Sequence, residues 1–121
     1  MIQDAVVQNE TDSTETKIGE AVGSYINVQL GIYPEVMTVD VHDQSVTVTL
    51  EGVSHPAEMS LAKEQVACSM IQKLYVELFT ISKPVLHSRL SDILGRTVDR
   101  SFFTVDPFCG SAVIVLLLTD A

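Results

Sequence analysis

Apolar and polar residues follow one another along this chain with two different periods, and the order of those periods predicts its elements. From about residue 15 to residue 30, apolar side chains recur every three or four positions, which predicts an amphipathic helix that ends at Gly31. Residues 36–42 and 45–51 then alternate apolar and polar side chains on either side of a short polar turn. This alternation is typical of a β-hairpin with one face exposed to water.

The second half of the chain begins with the pattern of a long helix. Pro56 suits the first turn of a helix, where a backbone N–H has no partner, and helical spacing continues to Gly95. Between Leu61 and Ile81 the apolar side chains fill an arc of about 160°, which is wide for a helix that covers one side of a small sheet. Pro84 removes a backbone donor and is expected to kink or split this helix.

A second hairpin follows, and its last strand is apolar on both faces. Residues 98–105 and 112–118 flank a turn that contains Asp106, Pro107 and Gly110. A strand with two apolar faces requires cover on both, and the helices provide only one cover. Together with the wide apolar arc of the long helix, this strand predicts a homodimer in which a second copy covers the remaining apolar surface.

These elements predict an α+β fold with two layers, in the order helix, hairpin, long kinked helix, hairpin, with a four-stranded and mostly antiparallel sheet. The length of 121 residues indicates one domain, which we place at residues 16–121. Residues 1–15 are polar and acidic, and they predict a mobile N-terminal tail. Because this stretch has neither a basic start nor an apolar run, we expect no export signal and a cytoplasmic location.

The charge of the chain restricts its partners. Sixteen acidic residues against seven basic ones give a net charge of −9, which argues against nucleic acid and anionic membrane surfaces. The longest apolar run, residues 112–118, is far shorter than the about 20 residues of a membrane helix, so we expect no direct insertion. Residues 18–62 contain six carboxylates and no Lys or Arg, whereas residues 63–100 contain six cations and four carboxylates. Such a dipolar chain can pair with itself or present its acidic part to a basic partner.

The residues of the chain do not form a recognisable catalytic set. Cys68 and Cys109 are not in a CxxC or metal-binding spacing, and neither has a histidine at a spacing that suggests an activated thiol. No nucleophile-elbow motif and no glycine-rich phosphate-binding motif is present. We therefore expect no enzymatic activity, no catalytic residues, no cofactor and no metal site.

Three short segments resemble a known family. They are Tyr33-Pro34-Glu35-Val36 before the first hairpin, Pro56-Ala57-Glu58 at a helix start, and Leu94-Gly95-Arg96-Thr97-Val98 at a helix end. In this order, and with their flanking hairpins, they resemble the MpsC-like family of small bacterial domains over roughly residues 17–119. One position differs, because His55 stands where the family has a threonine helix cap. The resemblance implies a cytoplasmic accessory role in bacterial systems that generate membrane potential and supply bicarbonate.

Two functional hypotheses follow. The first is a non-enzymatic accessory or regulatory interaction module of a membrane complex for bicarbonate or cation handling. Its candidate partner-binding residues are the acidic residues of the first hairpin: Glu35, Asp40, Asp43 and Glu51. The alternative is a small-molecule sensor that binds an acidic ligand between the sheet and the kinked helix. Its candidate ligand-binding residues are Arg96, Arg100 and His55.

Overall fold

The structure, a computed structural model, describes residues 6–7 and 13–119. Its elements are β1 (Val6–Val7), α1 (Ser13–Tyr25), a π-helical turn (Ile26–Leu30), β2 (Val36–Val41), β3 (Ser45–Glu51), α2 (Pro56–Leu61), α3 (Gln65–Leu94), β4 (Thr97–Asp106) and β5 (Ser111–Thr119). The predicted α+β class and the predicted order of helices and hairpins are confirmed.

The sheet has the strand order β1-β2-β3-β5-β4. Strands β2 to β5 are antiparallel to their neighbours, which confirms the predicted four-stranded antiparallel sheet, and the two residues of β1 add a parallel pairing on β2. The register aligns Val39 with Val48, Val48 with Ile114 and Ile114 with Phe103. These side chains therefore form one row on the buried face of the sheet.

The predicted N-terminal tail falls mostly outside the described residues. Within residues 1–15, the structure describes Val6–Val7, which pair with Val36 and Met37 of β2, and the start of α1 at Ser13. The mobility of the tail stays a prediction.

A glycine ends each of the two helical segments that precede a hairpin, which are α1 with its π-helical turn and α3. Gly31 and Gly95 both adopt the left-handed conformation, with φ of 67° and 66°, which a residue with a Cβ adopts only at a cost. The Gly95 N–H donates to the Ser91 carbonyl, and the Ile32 N–H donates to the Ile26 carbonyl. Each glycine therefore turns the chain out of a helix and toward the hairpin that follows.

The helix predicted to start at Pro56 is divided, but not at Pro84. Helix α2 ends at Leu61, Glu64 is extended with ψ of 124°, and α3 then runs through Pro84 as one helix. The N–H that Pro84 lacks would have bonded to the Thr80 carbonyl, and both residues are exposed, so water can solvate that carbonyl. Residues 62–64 are good helix formers, so local propensity does not produce the division.

Both α1 and α3 pack on one face of the sheet, with α1 over β2 and α3 over β4. The buried residues of α3 are Phe79, Ser82, Leu86 and Leu90, from the middle of the helix onward. The Phe79 ring lies edge-on to Tyr25 of α1, with centroids 6.4 Å apart, and stacks on Phe103 of β4 at 5.3 Å. This aromatic chain joins the two helices and the sheet in one core.

A buried hydrogen bond fixes α1 against α3. The Tyr25 hydroxyl lies 2.6 Å from Ser82 Oγ, and the Ser82 hydroxyl donates its one hydrogen to the Leu78 carbonyl at 2.7 Å. Tyr25 is therefore the donor in the bond between the two side chains. Its ring is fully buried, so this hydroxyl depends on Ser82 for its partner.

We predict that Ser82→Ala destabilises the protein more than Tyr25→Phe does. Ser82→Ala leaves a buried donor without a partner and should cost about 1–3 kcal/mol, whereas Tyr25→Phe leaves the Ser82 hydroxyl bonded to Leu78 and should cost about 1 kcal/mol. Urea unfolding of the two variants gives both values. In the Tyr25→Phe background, Ser82→Ala should cost less than it does in the wild type. Equal costs in the two backgrounds would contradict the hydrogen bond itself, and a larger cost for Tyr25→Phe than for Ser82→Ala would contradict this assignment of the donor.

Candidate interaction surfaces

The side of α3 that faces away from the sheet carries a row of exposed apolar residues. Val66 and Ile81 are each 75% exposed, Met70 is 67% exposed and Leu74 is 56% exposed. Val85, at 37%, continues the row. We call these five residues the outer stripe; their spacing places them on one face of the helix. The wide apolar arc predicted for this helix is therefore only partly used by the core.

The face of the sheet opposite the helices carries apolar residues of β5. Val113, Val115 and Leu117 are half-buried on this face, and no helix of the described part of the chain covers it. Their neighbours in the register include Thr49 beside Val113 and Phe102 beside Val115. These cross-strand neighbours shield much of each side chain, as is common on the wet face of an antiparallel sheet.

The four acidic candidates of the first hairpin are all exposed, but they do not form one cluster. Glu35 and Glu51 lie together at the open end of the hairpin, where the Glu35 N–H donates to the Glu51 carbonyl at 2.8 Å. Asp40 and Asp43 lie near its turn, at the other end. Four or more residues along the strands separate the two pairs, which corresponds to about 13 Å or more. The hairpin therefore presents two acidic ends.

The ligand-binding candidates are not brought together. His55 precedes α2, near the end of the sheet where Val53 bonds to Gly110, whereas Arg96 and Arg100 lie near the start of β4, at the opposite end. Arg96 donates to the Asp43 carbonyl in the turn of the first hairpin. Arg100 is exposed and forms an ion pair with its neighbour Asp99, with 3.5 Å between Arg100 Nε and Asp99 Oδ2.

Glu58 is engaged in structural contacts. Its Oε1 accepts from the His55 backbone N–H at 3.2 Å, which is one half of a capping box, and its Oε2 accepts from the Tyr75 hydroxyl at 2.8 Å. Burial raises the pKa of Tyr75 to about 12, and the adjacent Glu58 carboxylate adds to the rise. Tyr75 thus remains a neutral donor and holds α2 against α3. This contact accounts for Glu58 without a bound anion.

A groove of about 210 Å³ lies between α3 and β4. Its lining residues are Val76, Phe79, Thr80, Lys83, Ser101, Phe102 and Phe103. This is the position that the sensor hypothesis predicts for a pocket. The groove is smaller than the roughly 300–1,000 Å³ of typical ligand pockets, and neither Arg96 nor Arg100 lines it.

Two polar contacts between α3 and β4 could not be predicted from the sequence. His87 Nε2 lies 2.6 Å from Ser101 Oγ, and Gln72 Nε2 donates to the Val105 carbonyl at 3.1 Å. Burial and the nearby Lys83 ammonium lower the pKa of His87, although Asp99 partly opposes them. Helical spacing shows which residues share a face of α3, but it does not show which strand lies beside that face.

The exposed thiol of Cys109 lies beside the carboxylate of Asp106. The carboxylate of Asp106 raises the pKa of Cys109 through a hydrogen bond and its charge, so less thiolate is present than for an ordinary cysteine. Asp106 itself accepts the N–H groups of Cys109 and Phe108, which lowers the pKa of Asp106 and orders the turn. Cys68 is half-buried in α3.

Among residues 6–7 and 13–119, no three His, Cys, Asp or Glu side chains are grouped so that they could hold a metal ion. In the same part of the chain, no helix has both the length and the apolar character needed to cross a bilayer.

We predict that His87 makes the folded state less stable in mild acid. Its folded pKa lies below the usual 6.5, so the unfolded chain binds this proton more readily, and stability falls as the pH drops below about 6.5. The urea midpoint should therefore be lower at pH 5.5 than at pH 7.5, and His87→Gln should reduce the difference. His42→Gln, on the exposed hairpin, is the control and should keep the wild-type difference. An unchanged difference in His87→Gln would refute this role.

Comparison with known proteins identifies a family whose sequence pattern this chain matches. Residues 10–120 match the family described as Na⁺-translocating membrane potential-generating system, MpsC. No curated protein and no solved structure gives a significant match. Since the match covers nearly the whole chain and includes both hairpins and all three helices, the chain belongs to the MpsC family.

Proposed function

We propose that the protein is a non-enzymatic accessory or regulatory subunit that binds the cytoplasmic side of a Na⁺-translocating, membrane potential-generating complex. The description of its family supports the link to such a system. A connection with bicarbonate supply stays a prediction from the resemblance. The observation that carries the proposal at the level of residues is the charge of the first hairpin.

The first hairpin fits the cytoplasmic surface of a membrane protein. Cytoplasmic loops of membrane proteins carry an excess of Lys and Arg close to the membrane. From residue 18 to residue 62 this chain has six carboxylates and no Lys or Arg, and Glu35, Asp40, Asp43 and Glu51 are exposed. Opposite charges on two surfaces guide their encounter and select the partner. An acidic hairpin is therefore a suitable surface for a basic cytoplasmic loop.

The surroundings of Cys109 and Glu58 agree with a non-enzymatic role. A nucleophilic cysteine needs a lowered pKa or an adjacent base, and Asp106 raises the pKa of the Cys109 thiol instead. Glu58, the carboxylate beside His55, is bonded to the helix start and to Tyr75. Both features favour a role in binding rather than in catalysis.

We predict that the triple variant Asp40→Lys, Asp43→Lys, Glu51→Lys binds the membrane complex more weakly. Reversing three charges at the interface should reduce affinity about tenfold at low salt, and the difference should shrink as salt screens the charges. The measurement is biolayer interferometry of the purified protein against the detergent-solubilised complex from its native membranes, over a series of salt concentrations.

The matched control is Glu20→Lys, Glu64→Lys, Asp92→Lys, which makes the same change in net charge at exposed positions outside the hairpin. This variant should retain most of the affinity. Equal losses in both variants would show that only net charge matters, and unchanged binding of the hairpin variant at every salt concentration would exclude the hairpin as the contact surface.

A further inference from the structure

The outer stripe of α3 is a row of highly exposed apolar side chains. Val66 and Ile81 expose three-quarters of their surface and Met70 two-thirds, on a helix whose buried residues all lie on the opposite side. By contrast, Val113 and Val115 on the open face of the sheet are half-buried by their cross-strand neighbours. A row of apolar side chains this exposed on a helix, interrupted only by Glu77 between Leu74 and Ile81, is typical of an interaction site.

The outer stripe is complementary to itself when two copies lie antiparallel. If a two-fold axis passes between the two copies of α3, level with the peptide that joins Tyr75 and Val76, the residues before this level face the partner's residues an equal distance after it. Met70 then faces the partner's Ile81, and Val66 faces the partner's Val85. Every apolar position except Leu74 thus meets an apolar position, as a two-fold interface requires of a single surface.

The charges beside the stripe follow the same symmetry. In this register Lys73 lies beside the partner's Glu77, and Glu77 beside the partner's Lys73, so two ion pairs form across the axis. Leu74 packs against the aliphatic part of the partner's Glu77 side chain. A parallel pair would place Lys73 beside Lys73 and Glu77 beside Glu77, which is unfavourable. The charges therefore select the antiparallel arrangement.

We propose that two copies of the chain associate through the outer stripe of α3, antiparallel, with reciprocal Lys73–Glu77 ion pairs beside the two-fold axis. The first hairpin remains accessible in this dimer, because α3 packs over β4 whereas the hairpin lies beyond β5 and beneath α1. The proposal is independent of the membrane partner, and each can fail without the other.

The test is sedimentation equilibrium of the wild type and three charge variants. The wild type should be a dimer at tens of micromolar. Lys73→Glu places four carboxylates at the axis and Glu77→Lys places four ammonium groups there, so each should raise the dissociation constant about tenfold or more. The double variant Lys73→Glu, Glu77→Lys restores opposite pairs and should return to within about threefold of the wild type.

Two variants at exposed apolar residues provide a second, independent test. Met70→Glu should produce a monomer, whereas Leu61→Glu, at a similarly exposed apolar residue of α2, should remain a dimer. Circular dichroism and the urea midpoint check that each variant is folded. A monomeric wild type, a dimer that persists in Met70→Glu, or a double charge variant no tighter than the single ones would overturn the proposal.

Discussion

The structure depends on how α3 meets the core, and Phe79 is the centre of that contact. Its ring lies between Tyr25 of α1 and Phe103 of β4, so it joins both helices and the sheet. The buried residues of α3 form a narrow strip that starts at Phe79 and ends at Leu90. Tyr75, Leu78, Ile93 and Leu94 of α3 also pack against the core and are partly buried. Because this packed side is narrow, the five apolar residues of the outer stripe are left outside the core.

The uncovered surfaces have different chemistry, and this difference separates their roles. The outer stripe of α3 is apolar with a symmetric pair of opposite charges, which suits a second copy of the same surface. The first hairpin is acidic at both ends, which suits a basic partner. The basic partner would then be a component of the Na⁺-translocating membrane system that the description of the family names. Self-association on one side and partner binding on another would allow a dimer to present two hairpins, which strengthens attachment to a complex with two binding positions.

The first hairpin could be predicted from sequence, since alternation with period two fixes both its strands and their buried face. In the second hairpin, residues 112–118 are all apolar, so the sequence predicts a strand there but not its buried face. The ends of two helices could be predicted too, because Gly31 and Gly95 supply a left-handed conformation. The division of the second helix could not, because residues 62–64 favour a helix and the break accompanies the contact of Tyr75 with Glu58. The separation of His55 from Arg96 could not be predicted from sequence either, because it depends on the order of the strands in the sheet. A wide apolar arc predicts an uncovered surface without showing which part of the arc is covered.

The most direct test of this account is the distance between two copies of α3. In a variant with Cys68→Ser, Cys109→Ser and Ser88→Cys, one spin label sits at an exposed position of α3 beyond the paired region. At 1.5 Å of rise per residue, antiparallel pairing centred between Tyr75 and Val76 places the two labelled positions about 40 Å apart. Pulsed electron resonance should show a single distance near this value. A parallel pair would give about 10 Å, and that distance, or no distance between copies at all, would contradict the account.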